Sequence, residues 1–135
     1  MPYIAITIAG QSLDQEQTKT LIAETTRLMH ELMGKRVDVT SVRIEQTSGH
    51  SWGIGGTLVG EGGLAAAHMD IKVTSGTNTA EEKAAMVAAG YQLMQDVLGA
   101  VHEACYVINH ELPADAWGFA AQTQAARSAQ RGRGL

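Results

Sequence analysis

The sequence predicts a two-layer α/β (α+β) fold: duplicated β-α-β units forming a four-stranded sheet with two helices on one face. Three observations predict it. Residues 3–8 are an unbroken apolar or β-branched run, which suits a strand buried in a sheet. Apolar residues recur at helical spacing twice, at Leu21, Ile22, Thr25, Leu28, Met29 and Leu32 and again at Val87, Tyr91, Met94 and Leu98, each set lining one face of an amphipathic helix. The second half also echoes the first. An offset of 66 (76 − 10) puts Gly10 on Gly76, Ser12 on Asn78, Gln15 on Glu81, Leu21 on Val87, Leu28 on Met94 and Leu32 on Leu98. Trp52-Gly53 falls on Trp117-Gly118 after a small gap.

Taken in order, the first strand ends at Gly10. Ser12-Leu13-Asp14-Gln15 reads as a capping box, with Ser12 at the N-cap and Gln15 reaching back. The helix that follows stops at Gly34. Val39–Glu45 alternates as a second strand, and strand–helix–strand implies a right-handed parallel unit. Two glycine clusters, 53–56 and 60–63, join the halves and read as hairpin turns. Residues 69–74 give a third strand, and Asn78-Thr79-Ala80-Glu81 a second capping box. The second helix breaks near Gly99. Residues 104–110 give a fourth strand, closed by Leu112-Pro113. The folded domain is expected over 1–121, with pseudo-repeats 2–59 and 67–121. The remainder, 122–135, with Arg127, Arg131 and Arg133 among small residues, reads as a flexible, frayed tail. The strands read as apolar on both sides, so the sheet face away from the helices is expected to be covered by oligomerisation.

Composition narrows the function classes. At 135 residues and 44% apolar, the chain suits one globular domain with its own core. A net charge of −4 and a pI near 5.7 argue against a nucleic-acid binder, which would show a basic face. Cys105 is the only cysteine, which excludes an intrachain disulfide and suits a reducing, cytoplasmic compartment. No apolar run approaches the roughly 18 residues of a membrane span. The five histidines lack any recognised ligand spacing, so no metal is expected and they read as scattered surface residues. The glycine clusters lack the Lys-Ser/Thr of a phosphate loop.

The residue that carries chemistry is Pro2. Removal of Met1 would leave a secondary amine at the start of a strand. An α-amino group titrates near 7.7–8.0, and apolar surroundings push it toward the neutral base. Such an amine moves protons or attacks carbonyls.

Pro2, the capped helix, Thr40-Ser41-Val42-Arg43 and Gly49-His50-Ser51-Trp52-Gly53-Ile54-Gly55-Gly56 together resemble the tautomerase superfamily, in particular a fused, double-length 4-oxalocrotonate tautomerase. The resemblance implies Pro2 as catalytic base, Arg43 as the clamp on a substrate carboxylate or carbonyl, and Trp52, with Trp117, as an apolar wall that excludes water. Gln11 stands where the family carries a second arginine. Its second-half counterpart is Thr77, and Val107 stands opposite Arg43. One of two carboxylate clamps is therefore kept, which suggests a smaller or singly charged substrate. Tyr106 and Asn109 stand where other fused branches place polar residues. The implied activity is keto–enol tautomerisation of a small 2-oxo acid or its enol by a homotrimer that needs no cofactor. Rival readings are a hydratase or dehalogenase of unsaturated acids, and a non-catalytic trimeric module with a vestigial proline. The paired arginines of the decarboxylase and dehalogenase branches are missing from Thr74-Ser75-Gly76-Thr77-Asn78, and His30 misses the dehalogenase histidine position by one residue.

Overall fold

A computed structural model describes residues 2–132. Strand β1 (Tyr3–Ala9) leads through helix α1 (Gln15–Met33) to β2 (Ser41–Thr47), and a small hairpin, β3 (Gly53–Ile54) with β4 (Thr57–Leu58), follows. The plan then repeats: β5 (Ala66–Thr74), α2 (Ala80–Leu98), β6 (Val107–Leu112) and a second hairpin of β7 (Gly118–Phe119) and β8 (Gln122–Thr123). A last helix, α3 (Gln124–Gly132), ends the described chain. The main sheet has the order β2-β1-β5-β6. Within each unit the strands are parallel, and the central pair, β1 and β5, is antiparallel. The two units are thus related by an approximate two-fold axis through the sheet centre, and the predicted fold class holds.

Alternation along the strands decides which face is covered. Ile4, Ile6 and Ile8 of β1 and Met69, Ile71 and Val73 of β5 are buried beneath the helices. At roughly 1.5–3 kcal/mol for each fully buried side chain, this layer holds the two units together. Met29 and Met33 of α1 and Met86, Leu93, Met94 and Leu98 of α2 pack onto it. Gly90 lets α2 approach closely, because a Cβ there would lie 3.1 Å from Met69 Sδ.

The structure corrects the register of the duplication. The N-caps are Asp14 and Thr79, each in a complete capping box, with Gln17 and Glu82 respectively. Both caps sit beside overlapping cap-like matches in the sequence. Asn78 loses the competition because its Nδ2 donates to the Met33 carbonyl at 2.8 Å. The loop from Gly76 to its cap is one residue shorter than that from Gly10, so aligning the glycines misplaces everything after them. Counted from the caps, the offset is 65 (79 − 14), and Trp52 meets Trp117 without a gap (117 − 52). Leu21 then matches Met86, and both are fully buried, whereas Val87 is 41% exposed. The counterpart of Arg43 is Ile108 rather than Val107, because Arg43 pairs with Ala5 as Ile108 pairs with Asp70.

Two further expectations change. Over 122–132 the tail is not frayed: Gln122–Thr123 pair with β7, and 124–132 are helical, while 133–135, with Arg133, lie outside the described residues. Gln124 is buried, and the Arg127 guanidinium lies over the Phe119 ring at 3.7 Å. The open sheet face is polar rather than apolar. It carries Tyr3 beneath the Lys72 ammonium, the Arg43–Glu45 ion pair, and Asp70 between two histidines.

The two hairpins differ in one testable way. The turn residues of the first are Gly55 and Gly56, and those of the second are Ala120 and Ala121, all at positive φ. A left-handed conformation costs a non-glycine residue about 1–2 kcal/mol, partly offset because glycine raises unfolded-chain entropy by about 0.4–1 kcal/mol. Ala120→Gly or Ala121→Gly should therefore raise stability by about 0.5–1 kcal/mol, seen as a higher melting temperature.

Candidate active site

The register places the candidate residues at two opposite ends of the sheet. Pro2 is fully buried, and its carbonyl accepts from Ser41 N at 3.3 Å. Extending the pairing of Tyr3 with Lys72 by one residue sets Pro2 opposite Val73. Next to Val73, Thr74 Oγ1 accepts from Trp117 Nε1 at 3.2 Å, and the Thr74 carbonyl accepts from Thr77 Oγ1 at 2.6 Å. Lys35 Nζ donates to Thr77 Oγ1 at 2.9 Å. Pro2, Trp117, Thr77 and Lys35 therefore share one end of the sheet, built from β1 of the first half and the β5 end and hairpin of the second. The antiparallel centre forces this exchange: each unit's hairpin reaches the start of the other unit's first strand.

The other candidates lie elsewhere in the chain. Trp52, on the first hairpin, packs against the core at the far end of β1 and β2. Gln11 lies at that far end too, beside Gln46 and Gly49 in a shallow depression. Eight or nine residues of extended chain separate it from Pro2, about 25–30 Å at roughly 3.3 Å each. Tyr106 is 65% exposed and level with His68, well away from Pro2. Asn109 faces α2, where its Nδ2 reaches the Lys83 carbonyl at 3.5 Å and its Oδ1 is buried without a partner. Arg43 is level with Ala5, three residues and about 10 Å along from Pro2, and on the open sheet face, paired with Glu45. Within one chain, Arg43 and Pro2 do not meet.

The opposite end has no equivalent amine. Pro2 corresponds to Ala67, an interior residue whose N–H donates to Cys105 Sγ at 3.3 Å. Burial pushes the Cys105 thiol up, away from the reactive thiolate, with the Ala67 N–H opposing.

A cavity of about 270 Å³ opens at the Pro2 end, lined by Lys35, Arg36, Val39, Phe119, Gln124, Arg127 and Arg131. Lys35 is 8% exposed, and burial lowers its ammonium pKa while the Glu82 carboxylate opposes. Its counterpart at the Ala67 end, about 300 Å³, is lined by Ile54, Leu58, Val59, Gly62, Leu64 and His102. At the 65-residue offset, Phe119, Gln124 and Arg127 replace Ile54, Val59 and Gly62. Sequence reasoning missed Lys35, Gln124 and Arg127. The available signal was Gln124, Arg127 and Arg131, spaced as one helical face.

The histidines are not all scattered. His68 Nε2 lies 2.9 Å from one Asp70 carboxylate oxygen, and His110 Nε2 lies 2.5 Å from the other. Burial raises the Asp70 pKa, but the His110 hydrogen bond and both histidine charges outweigh it and hold it below the usual 3.8. The depressed carboxylate stabilises the fold above its unfolded pKa, and that contribution is lost as pH falls through the folded value. Asp70→Asn should lower the melting temperature by a few degrees at pH 6. Melts repeated toward pH 3 should show that deficit shrinking.

Among the described residues, no cluster of three or more histidine, cysteine or acidic side chains forms a metal site, and no helix is long and apolar enough to cross a membrane. The family model described as tautomerase enzyme matches residues 2–62 and again 68–127. The chain belongs to the tautomerase family. The repeated match follows the two structural units. Probable tautomerase K2 of Dickeya dadantii (strain 3937) is 39% identical over 61 residues, which is 45% of this tautomerase and 91% of the relative. A native fused 4-OT crystal structure superimposes with a TM-score of 0.83 at 22% identity, covering 93% of this chain and 98% of that one. A wild-type symmetric trimer, Q0 fused 4-OT, gives 0.81 at 19% over the same shares. Pt0534, solved after inactivation by 2-oxo-3-pentynoate, gives 0.81 at 17%, again over 93% and 98%. These structures share the fold of this chain over both of its units.

Proposed function

We propose that this tautomerase is an isomerase that uses Pro2, freed by removal of Met1, as general base on small 2-oxo acids or their enols. The observation that carries the reading is the burial of Pro2 at the start of β1, at the sheet end that also holds the Trp117 indole and the Lys35 ammonium. An amine walled by apolar groups and close to cations stays neutral near pH 7. The neutral nitrogen removes a proton from an enol oxygen, or from the carbon beside a carbonyl, and returns it to another carbon of the conjugated system. Trp117 closes the end to water. Arg43 lies outside reach within its own chain, so a second copy supplies it to stabilise developing negative charge. A homotrimer meets that need and also covers the polar open sheet face. The symmetric and asymmetric fused 4-OT trimers among the structural neighbours support it. The single cysteine agrees with a cytoplasmic setting. Intact mass and enol turnover test the proposal together. The purified protein should lack one methionine and ketonise phenylenolpyruvate or 2-hydroxymuconate. Retention of Met1 in the cellular protein would leave the nitrogen acylated and reject the base.

A further inference from the structure

We propose that the cavity between the α1–β2 connection and α3 binds a carboxylate of the substrate, and so supplies the second carboxylate clamp at Pro2's end. The role assigned to the ligand rests on the tautomerase reading of Pro2; the binding itself does not.

The cavity's donors exceed its acceptors. Gln124 is 6% exposed, and its Nε2 has no partner. Arg127 Nε is likewise buried and unpartnered, although its Nη2 donates to the Phe119 carbonyl at 3.0 Å. Buried donors left without acceptors cost about 1–3 kcal/mol each, so two in one cavity call for an acceptor. The neighbouring charges favour an anion. Arg36 is held by Asp38, with Nη2 to Oδ2 at 2.6 Å, and Lys35 is partly offset by Glu82. Arg127 has no carboxylate partner among the described residues. A volume of about 270 Å³ is below that of a whole drug-sized site and suits the end of a small acid.

Position ties the cavity to the reaction. Val39 lies two residues before Ser41, whose N–H meets the Pro2 carbonyl. On the other side, Gln124 N donates to the Trp117 carbonyl at 2.9 Å. The cavity therefore lies between the two segments that flank Pro2. Its apolar counterpart at the Ala67 end, with Val59 and Gly62 in place of Gln124 and Arg127, shows that the shared fold does not require these donors. They occur only where the proline is.

Calorimetric titration of the full-length protein with fumarate, an unreactive dicarboxylate probe, tests the site. Arg127→Gln and Gln124→Leu should each weaken fumarate by about 10- to 100-fold, the worth of one charge-assisted bond, in variants whose cooperative melts show that they remain folded at the assay temperature. Both should raise the KM for 2-hydroxymuconate more than that for singly charged phenylenolpyruvate, with kcat nearly intact. Arg127→Lys should recover part of the affinity. Pro2→Ala should bind fumarate like the parent. Unchanged fumarate affinity in both folded variants, or no binding to the parent protein, overturns the site. Should Pro2→Ala instead keep full turnover, the base assignment falls while the fumarate result still decides the cavity.

Discussion

Replacing Pro2 by alanine should lower kcat/KM for phenylenolpyruvate ketonisation by at least about 10²-fold, within the usual 10²–10⁴ range for a positioned general base. The loss should appear mainly in kcat, because the proposed carboxylate contacts come from Gln124, Arg127 and a second copy's Arg43, which the substitution leaves in place. Pro2 is fully buried, so some packing is also lost. Losing the ring methylenes costs about 0.8 kcal/mol each, too little to unfold the domain. A folded variant with parental turnover would show that the nitrogen of Pro2 is not the base. A small rise in KM with unchanged kcat would assign Pro2 to binding only.

Gly118→Ala should be the most damaging substitution of a single small group outside the core. A Cβ at Gly118 would lie 1.9 Å from the Gln122 carbonyl oxygen and 2.7 Å from Thr123 Cα. Both are backbone atoms of the facing strand, so no rotamer change relieves the clash. The β7–β8 pair must open, and it carries both Trp117 and the start of α3. A loss of at least about 3 kcal/mol is expected, with Trp117 and Arg127 leaving Pro2's end and turnover falling together with stability. The duplication supplies its own control. Gly53, the counterpart in the first hairpin, would place a Cβ 3.6 Å from the Thr57 carbonyl oxygen, an ordinary contact. Gly53→Ala should cost less than about 1 kcal/mol and leave turnover near the parental value, because that hairpin serves the Ala67 end. Paired thermal melts and initial rates check both variants, and equal damage from the two would contradict the assignment of the hairpins to separate ends.

Strand periodicity and the Trp-Gly pair made the duplicated plan legible in the sequence, and the heptad-like spacing of Leu21, Leu28 and Met29 located a helix. The exact register was not legible. Ser12/Gln15 and Asp14/Gln17 both satisfy the cap pattern, and only the packed loop, where Leu13 N meets Gln46 Oε1 at 2.9 Å, chooses between them. The tail looked unstructured because its small residues offer little apolar surface. Its helix depends on Gln124 being buried and on Arg127 stacking over Phe119, contacts that exist only after the hairpin forms. Pro2 was legible as chemistry because loss of the initiator methionine turns a proline at position 2 into a free secondary amine. The resemblance offers Trp52 and Trp117 as its wall, and within one chain the antiparallel pairing of the two units brings Trp117 to Pro2's end. That choice depends on strand order, which one chain's local pattern does not encode.

The most direct measurement is covalent capture of the nitrogen itself. Pt0534 was solved after inactivation by 2-oxo-3-pentynoate, and an uncharged amine adds across the alkyne of that ynone to give an adduct carrying the full reagent mass. Peptide mapping of this protein after incubation with 2-oxo-3-pentynoate should place one adduct per chain on the peptide that begins with Pro2, with activity lost in proportion. Modification of another residue while activity is lost, or an unlabelled Pro2 peptide in fully inactivated protein, would contradict the account.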